Sequence, residues 1–284
     1  MQLTATERDI EAISSLVEEL CGIHLDSTKG YLVESRLSEL AERHRCDSYS
    51  ALAMQASKAT NVELRRDIVD KMTTNETSFF RDFAPFDAFQ HKVVPNIIDA
   101  REATAFGNRI RIWSAGCSTG QEPYTIGIVL SEMLGDLSSW DISILGTDIS
   151  NDAIRSASLG IFPDHHISRG LPGRLRDKYF TQRGKEWQVR DEIRSLVRFQ
   201  RANLLESFTF FGQFDIIFCR NVAIYFTRDV RIDLFQRFAD SLAADGYLFV
   251  GSAEAMSDLR HRFYPENHCG ATVYCPLGQA ASVV

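Results

Sequence analysis

Apolar residues recur at helical spacing through residues 1–72. Ile10, Ile13, Leu16, Val17 and Leu20 share one helical face, and Thr4 with Glu7 matches a capping box ahead of them. A second helix is predicted after Ser27, with Leu32, Val33, Leu37 and Leu40 inward and Arg36, Arg43 and Arg45 outward. A short third helix fits 49–57 and a fourth fits 61–72, where Thr60 and Glu63 repeat the capping pattern. No β-rich run interrupts the block, so the pattern predicts a small helical bundle.

From about residue 110 the period changes. In RIRIWSAGCSTGQEPY (109–124), Ile110 and Ile112 alternate with Arg109 and Arg111, a turn of small residues follows, and a helical pattern begins near Glu122. Such a loop lets backbone approach a ligand closely at the carboxyl end of a strand. A second strand, 142–146, ends at Thr147-Asp148, where an α/β fold holds ribose hydroxyls with an acid. The pair points to a nucleoside-containing cofactor. Helices are predicted near 151–158 and 172–179, and a hairpin over 179–190 turns at Gly184. Strands follow at 196–199, at the nearly continuous apolar run 214–219, and at 247–251. Residues 272–274 are expected as a last, edge strand, and the tail from Gly278 is expected to fray. Alternating strands and helices imply a mostly parallel sheet covered on both faces.

The loop is not G-x-G-x-x-G. Cys117, Ser118 and Thr119 fill the place of the second glycine, and Glu122 would repel a pyrophosphate at the helix start. It suits a ligand with hydroxyl and cationic groups and no phosphate, such as S-adenosylmethionine. The plain alternative is an ordinary strand-to-helix turn in which Glu122 favours the helix dipole.

A length of 284 residues allows two domains, and 44% hydrophobic content supports a sizeable core. The net charge of −7 argues against a general nucleic-acid binder. No apolar run reaches the ~20 residues of a membrane span, and no secretion signal is visible, so a cytoplasmic protein without membrane insertion is expected. The six cysteines are scattered, which fits reduced thiols rather than disulfides or a metal site.

Three further runs carry the chemistry: TTNETSFFRD (73–82), Asn203-Leu204-Leu205 and FDIIFCRNVAIYF (214–226). With SAGCSTGQEPY and GTD, in this order as far as Gly251-Ser252-Ala253-Glu254, they resemble the bacterial chemotaxis receptor methyltransferases, the CheR family. The resemblance implies an all-α domain over 1–76. A Rossmann-like α/β methyltransferase domain follows over 77–284, with a small antiparallel β-subdomain inserted at about 179–200. The implied activity is methyl transfer from S-adenosylmethionine to glutamate side chains on chemoreceptor cytoplasmic helices, which the N-terminal block would face, by a monomer without metal.

By resemblance, cofactor contacts fall on Asn75, Thr77, Arg81, Glu122, Asp148, Asn203, Leu204, Arg220 and Asn221. Asp148 would take the ribose hydroxyls, Asn203 the adenine edge, Leu204 the ring, Arg81 the cofactor carboxylate and Glu122 its ammonium. Arg81 and Tyr225 are the candidates for orienting the attacking carboxylate. Phe79, Phe80, Phe83 and Phe86 read as packing between the domains. The short turn at Gly184 argues against a receptor tail adding as a strand to the subdomain. An NAD-dependent oxidoreductase and a non-catalytic S-adenosylmethionine sensor are the rival functions. The lack of G-x-G-x-x-G counts against the first.

Overall fold

The computed structural model describes residues 3–102, 107–254 and 256–277; the tail from Gly278 lies outside them. Four helices come first: α1 (Glu7–Cys21), α2 (Gly30–Arg43), α3 (Tyr49–Ala56) and α4 (Val62–Met72). Their inward faces form a core of their own that includes Ile13, Val17, Val33, Leu37, Leu52 and Ile68.

The caps differ from the pattern. α1 is capped by Thr6 with Asp9, not by Thr4 with Glu7. The Thr60–Glu63 box is absent as well, because α4 starts after Asn61, whose amide donates to Gln55 O at 2.8 Å. Arg36 is only partly exposed, not fully outward as expected. It donates to the carbonyls of Met72 (2.9 Å) and Thr73 (3.2 Å), meeting acceptors that the end of α4 leaves open. Arg43 pairs with Glu39 (2.9 Å) and Asp67 (3.5 Å) on the same bundle.

After the NETSFFRD loop come α5 (Ala84–Ala88), a π-helical turn (Phe89–Val93) and α6 (Val94–Glu102), to which the pattern assigned no element. The α/β body then runs through β1 (Arg109–Ala115), α7 (Gln121–Leu134), β2 (Asp141–Asp148) and α8 (Asn151–Leu159). Next are β3 (Ile161–Pro163), α9 (Asp164–Ser168), α10 (Gly173–Tyr179), β4 (Phe180–Arg183) and β5 (Glu186–Val189). The chain continues through α11 (Asp191–Arg194), β6 (Val197–Arg201), β7 (Phe214–Cys219), α12 (Arg228–Ser241) and β8 (Leu242–Val250). It closes with the hairpin β9 (Phe263–His268) and β10 (Ala271–Pro276).

The main sheet has the order β6-β2-β1-β7-β8-β10-β9. Its first five strands are parallel, and the closing hairpin is antiparallel. The last strand is therefore not on the edge. β9, which the pattern missed, takes that place because Pro265 and the polar Glu266-Asn267-His268 hide its strand character. The small sheet, β3-β5-β4, is the predicted hairpin plus a short strand from 161–163, while β6 joins the main sheet.

The NETSFFRD loop is fastened by aromatic side chains. Phe79 meets Phe162 and Phe180 of the small sheet edge-on, with centroids 5.0 and 5.5 Å apart. Phe80 and Phe86 are buried as expected, but Phe83 is 52% exposed and packs no core. Glu132 on α7 ties the small sheet's helix to the body: it accepts from Tyr179 (2.7 Å) and pairs with Lys178 and Arg174 (2.6 Å each). Burial raises its carboxyl pKa, but these donors outweigh burial and lower it to about 2.

Candidate functional site at the carboxyl ends of the central strands

A cleft of about 900 Å³, open solvent included, lies where β1, β2 and β7 end. β1 and β2 lie side by side in parallel register from Arg109↔Asp141 to Ala115↔Thr147, so the small-residue loop and Asp148 emerge together. Gly116 must be glycine here. Its φ is +77°, and a Cβ would sit 2.4 Å from Val222 Cγ2.

All ten residues singled out in the sequence line this one cleft: Asn75, Thr77 and Arg81 from the NETSFFRD loop, Glu122 from α7, Asp148 from β2, Asn203 and Leu204 after β6, and Arg220, Asn221 and Tyr225 after β7. Asp148 accepts the Ser118 N–H (2.8 Å) on one oxygen and the Ser150 N–H (2.9 Å) on the other. Each oxygen keeps a lone pair for a diol. Burial holds the Asp148 carboxyl above its ordinary value, against the pull of the Ser150 and Ser118 amides.

The Glu122 carboxyl is fixed in place. Its oxygens take Ser114 Oγ–H (2.8 Å) and Arg220 Nη1–H (3.1 Å). Arg220, with its side chain 1% exposed, also donates through Nη2 to the Arg81 carbonyl (2.8 Å) and to Asp82 (2.9 Å). That guanidinium therefore serves the protein first. Its Nε is buried without a partner, as is Asn221 Oδ1. Phe80, Asp82 and Phe83 all have positive φ (49°, 67° and 39°), a strained run that Arg220 fastens at two points.

Asn203 is also partly committed, donating to Leu20 O (2.9 Å) and accepting from Leu205 N (3.1 Å). One N–H and one lone pair of its amide remain. Arg81 donates to Glu76 O (3.0 Å). Tyr225 is 37% exposed at the cleft, and its hydroxyl has no partner among the described residues. The thiol of Cys117 is pushed well up by burial, and further by Asp148 and Glu122, so it stays neutral.

Three contributors were given no role in the sequence reading. Cys21 and Ile23, from the end of the helical block, form part of the wall. Glu254 accepts backbone N–H groups from Asn221, Val222 and Ala223. Their roles carry no local signal, since Cys21 and Ile23 meet the cleft across the domains and three of the Glu254 bonds span more than thirty residues.

The family described as "CheR methyltransferase, SAM binding domain" matches residues 75–272, and "CheR methyltransferase, all-alpha domain" matches 8–73. The chain belongs to the CheR methyltransferase family. Similar CheR relatives include "Chemotaxis protein methyltransferase 1" of Pseudomonas aeruginosa, 40% identical over 262 residues (90% of this chain, 93% of that one). "Chemotaxis protein methyltransferase Cher2" of Pseudomonas putida is 40% identical over 256 residues, covering 88% and 91%. "Chemotaxis protein methyltransferase" of Vibrio parahaemolyticus is 38% identical over 266 residues, covering 92% and 94%.

The CheR cleft fits S-adenosylmethionine on its own chemistry. It offers an acceptor pair at Asp148 for a ribose, the Glu122 carboxyl oxygens for an ammonium, and two buried orphan polar atoms on Arg220 and Asn221. No helix among the described residues is long and apolar enough to cross a membrane.

Proposed function

We propose that this chain methyl-esterifies glutamate side chains on the cytoplasmic helices of chemoreceptors, acting in the cytoplasm as a monomer, with its N-terminal helices toward the receptor. The observation that carries the reading is the single cleft in which Asp148, Glu122, Asn203 and Asn221 line one space together with Arg81 and Tyr225. The names of the similar proteins, chemotaxis protein methyltransferases, support it.

When bound, S-adenosylmethionine supplies a methyl group already activated on a positively charged sulfur. A glutamate carboxylate, with a reference pKa near ~4.3, is an anion at neutral pH and needs no general base. The protein's task is then alignment and the exclusion of water. Asp148 and Asn203 hold the nucleoside end, and Glu122, oriented by its bond from Arg220, faces the amino-acid end. Arg81 and Tyr225 orient the incoming carboxylate by hydrogen bonds. An arginine clamped tightly on that carboxylate would weaken its attack, so Arg81 acts by direction rather than neutralisation. Its tie to the Glu76 carbonyl leaves further N–H groups of the fork for that use.

The test is transfer of radiolabelled methyl from S-adenosylmethionine to receptor, read as base-released methanol, which esters give and methylated amines do not. Tyr225→Phe and Arg81→Ala should each cost roughly ten- to a hundredfold in kcat, the scale of lost alignment, with the circular dichroism spectrum retained. Undiminished rates in both variants would remove these two residues from the mechanism. Label in a base-stable product would remove the ester chemistry.

A further inference from the structure

Glu254 lies on the turn after β8 and is 2% exposed, among apolar neighbours such as Met256 and Leu259. A buried carboxylate persists only where donors replace its water. Here four backbone amides do so. Oε1 accepts from Val222 (3.0 Å) and Ala223 (2.7 Å). Oε2 accepts from Asn221 (2.9 Å) and, in a short bond, from Gly251.

The geometry is that of an anion nest. Asn221 has φ of +59° and Val222 is right-handed, so successive N–H groups converge on one point. Most such nests hold a ligand's anion, but this one is filled by the protein's own carboxylate. What the nest fixes is the segment that supplies the cleft floor. Asn221 presents an unpartnered Oδ1, Val222 packs against Gly116, and Tyr225 closes the short helical turn begun at Ala223. Gly251 belongs to the same device, because a Cβ there would lie 2.7 Å from Glu254 Oε2 and 3.0 Å from Asn221 N.

We propose that Glu254 is a positioning residue for methyl transfer: by holding the Asn221–Ala223 backbone against Gly251, it sets the Asn221 amide and the Tyr225 phenol at the cleft. The proposal rests on the reading of this cleft as the methyl-transfer site. Glu254 touches neither cofactor nor substrate itself, and its effect passes through the loop.

The test is a pair of double-mutant cycles. Glu254→Gln keeps the size but turns one acceptor into an NH2 group facing N–H donors, so it should free the loop. It should lower kcat/KM for receptor methylation at least tenfold and weaken S-adenosylhomocysteine binding, read by calorimetry, severalfold. If Glu254 acts through Tyr225, Glu254→Gln with Tyr225→Phe is no slower than the worse single variant. A purely structural loss would multiply with it, and multiplication overturns the proposal. The second cycle pairs Glu254→Gln with Asn221→Ala and reads only S-adenosylhomocysteine affinity, where the same non-additivity is expected. If Tyr225→Phe is fully active, the assignment of Tyr225 fails, and the Asn221 cycle alone decides for or against Glu254. Should Glu254→Gln not fold, Gly251→Ala displaces the carboxylate without removing it and should give the same losses. Full activity and affinity of that variant would also overturn the proposal.

Discussion

Arg220 shows how a residue can be placed correctly from its motif while its work stays hidden. The run FCRN after an apolar strand puts it at a strand end beside the cofactor loop. What the run does not carry is that its partners lie 98, 138 and 139 residues away, on Glu122, Asp82 and Arg81. The fork bridges two carboxylates and a carbonyl, and its charge lies 5.4 Å over the Phe86 ring. A lysine carries its three donors on one nitrogen and cannot span acceptors that the fork reaches from two separate nitrogens. Arg220→Ala leaves Glu122 buried without its counter-charge and should cost about 3–5 kcal/mol of stability. Arg220→Lys should unfold at a temperature between the two, with S-adenosylhomocysteine affinity lowered at least tenfold because the strained Phe80–Phe83 run loses its fastening. Thermal denaturation and calorimetry measure both, and a lysine variant that matches the parent in each would show that the fork's geometry is irrelevant. By contrast, Asp148 and Glu122 were legible, since their positions follow from where a strand ends and a helix begins.

At the scale of elements, the parallel strands and most helices were readable because their periodicity is local. The start of α1 shows where that reading fails. Thr4-x-x-Glu7 and Thr6-x-x-Asp9 both fit a capping box, and the sequence offers no way to choose. The choice is made by α3, whose Ser50 N–H (2.7 Å) and Oγ–H (2.6 Å) both donate to Asp9 Oδ1. Asp9 thereby joins two helices while Oδ2 completes the cap on Thr6. The hairpin β9–β10 was half missed for a similar reason, as its polar edge strand is specified by its partner and not by alternation. Asp9 also makes a pH prediction. Burial raises its carboxyl, but the bonds from Ser50 and Thr6 outweigh it and bring the pKa down to about 2. A depressed carboxylate contributes stability that is fully present above its unfolded value near ~4 and lost as pH falls toward 2. Asp9→Asn should therefore cost about 1–2 kcal/mol at neutral pH. The loss should shrink between pH 4 and pH 2, as shown by urea unfolding at a series of pH values. A difference constant with pH would mean that Asp9's charge is not what joins the helices.

At the scale of the molecule, the helical block forms part of the cleft wall and is not only an attachment in front of it. Its exit from α1 runs directly behind the cleft. Asn203 donates to Leu20 O (2.9 Å), and His24 N–H donates to the Tyr225 carbonyl (2.8 Å). Ile23 bridges Phe226, and Cys21 and Ile23 line the cleft itself. A second strap joins Ser118 Oγ–H to the Asn75 carbonyl (3.0 Å), and a third joins Asn151 N–H to Asp70 (2.8 Å). A ligand that binds only the closed cleft must then stabilise both sides of it. At a hundred times its Kd, S-adenosylhomocysteine adds about 2.7 kcal/mol to the folded state, enough to slow exchange roughly a hundredfold for amides that open with the site. We expect that protection at the His24 amide and the last turn of α1 as well as at Ser118 and Ser150. Weaker protection should reach the outer face of α2, where Tyr31 is 61% exposed. Hydrogen exchange with and without S-adenosylhomocysteine measures it. If slowing were confined to residues 110–226 while His24 exchanged unchanged, the helical block would be a neighbour of the pocket and not one of its walls.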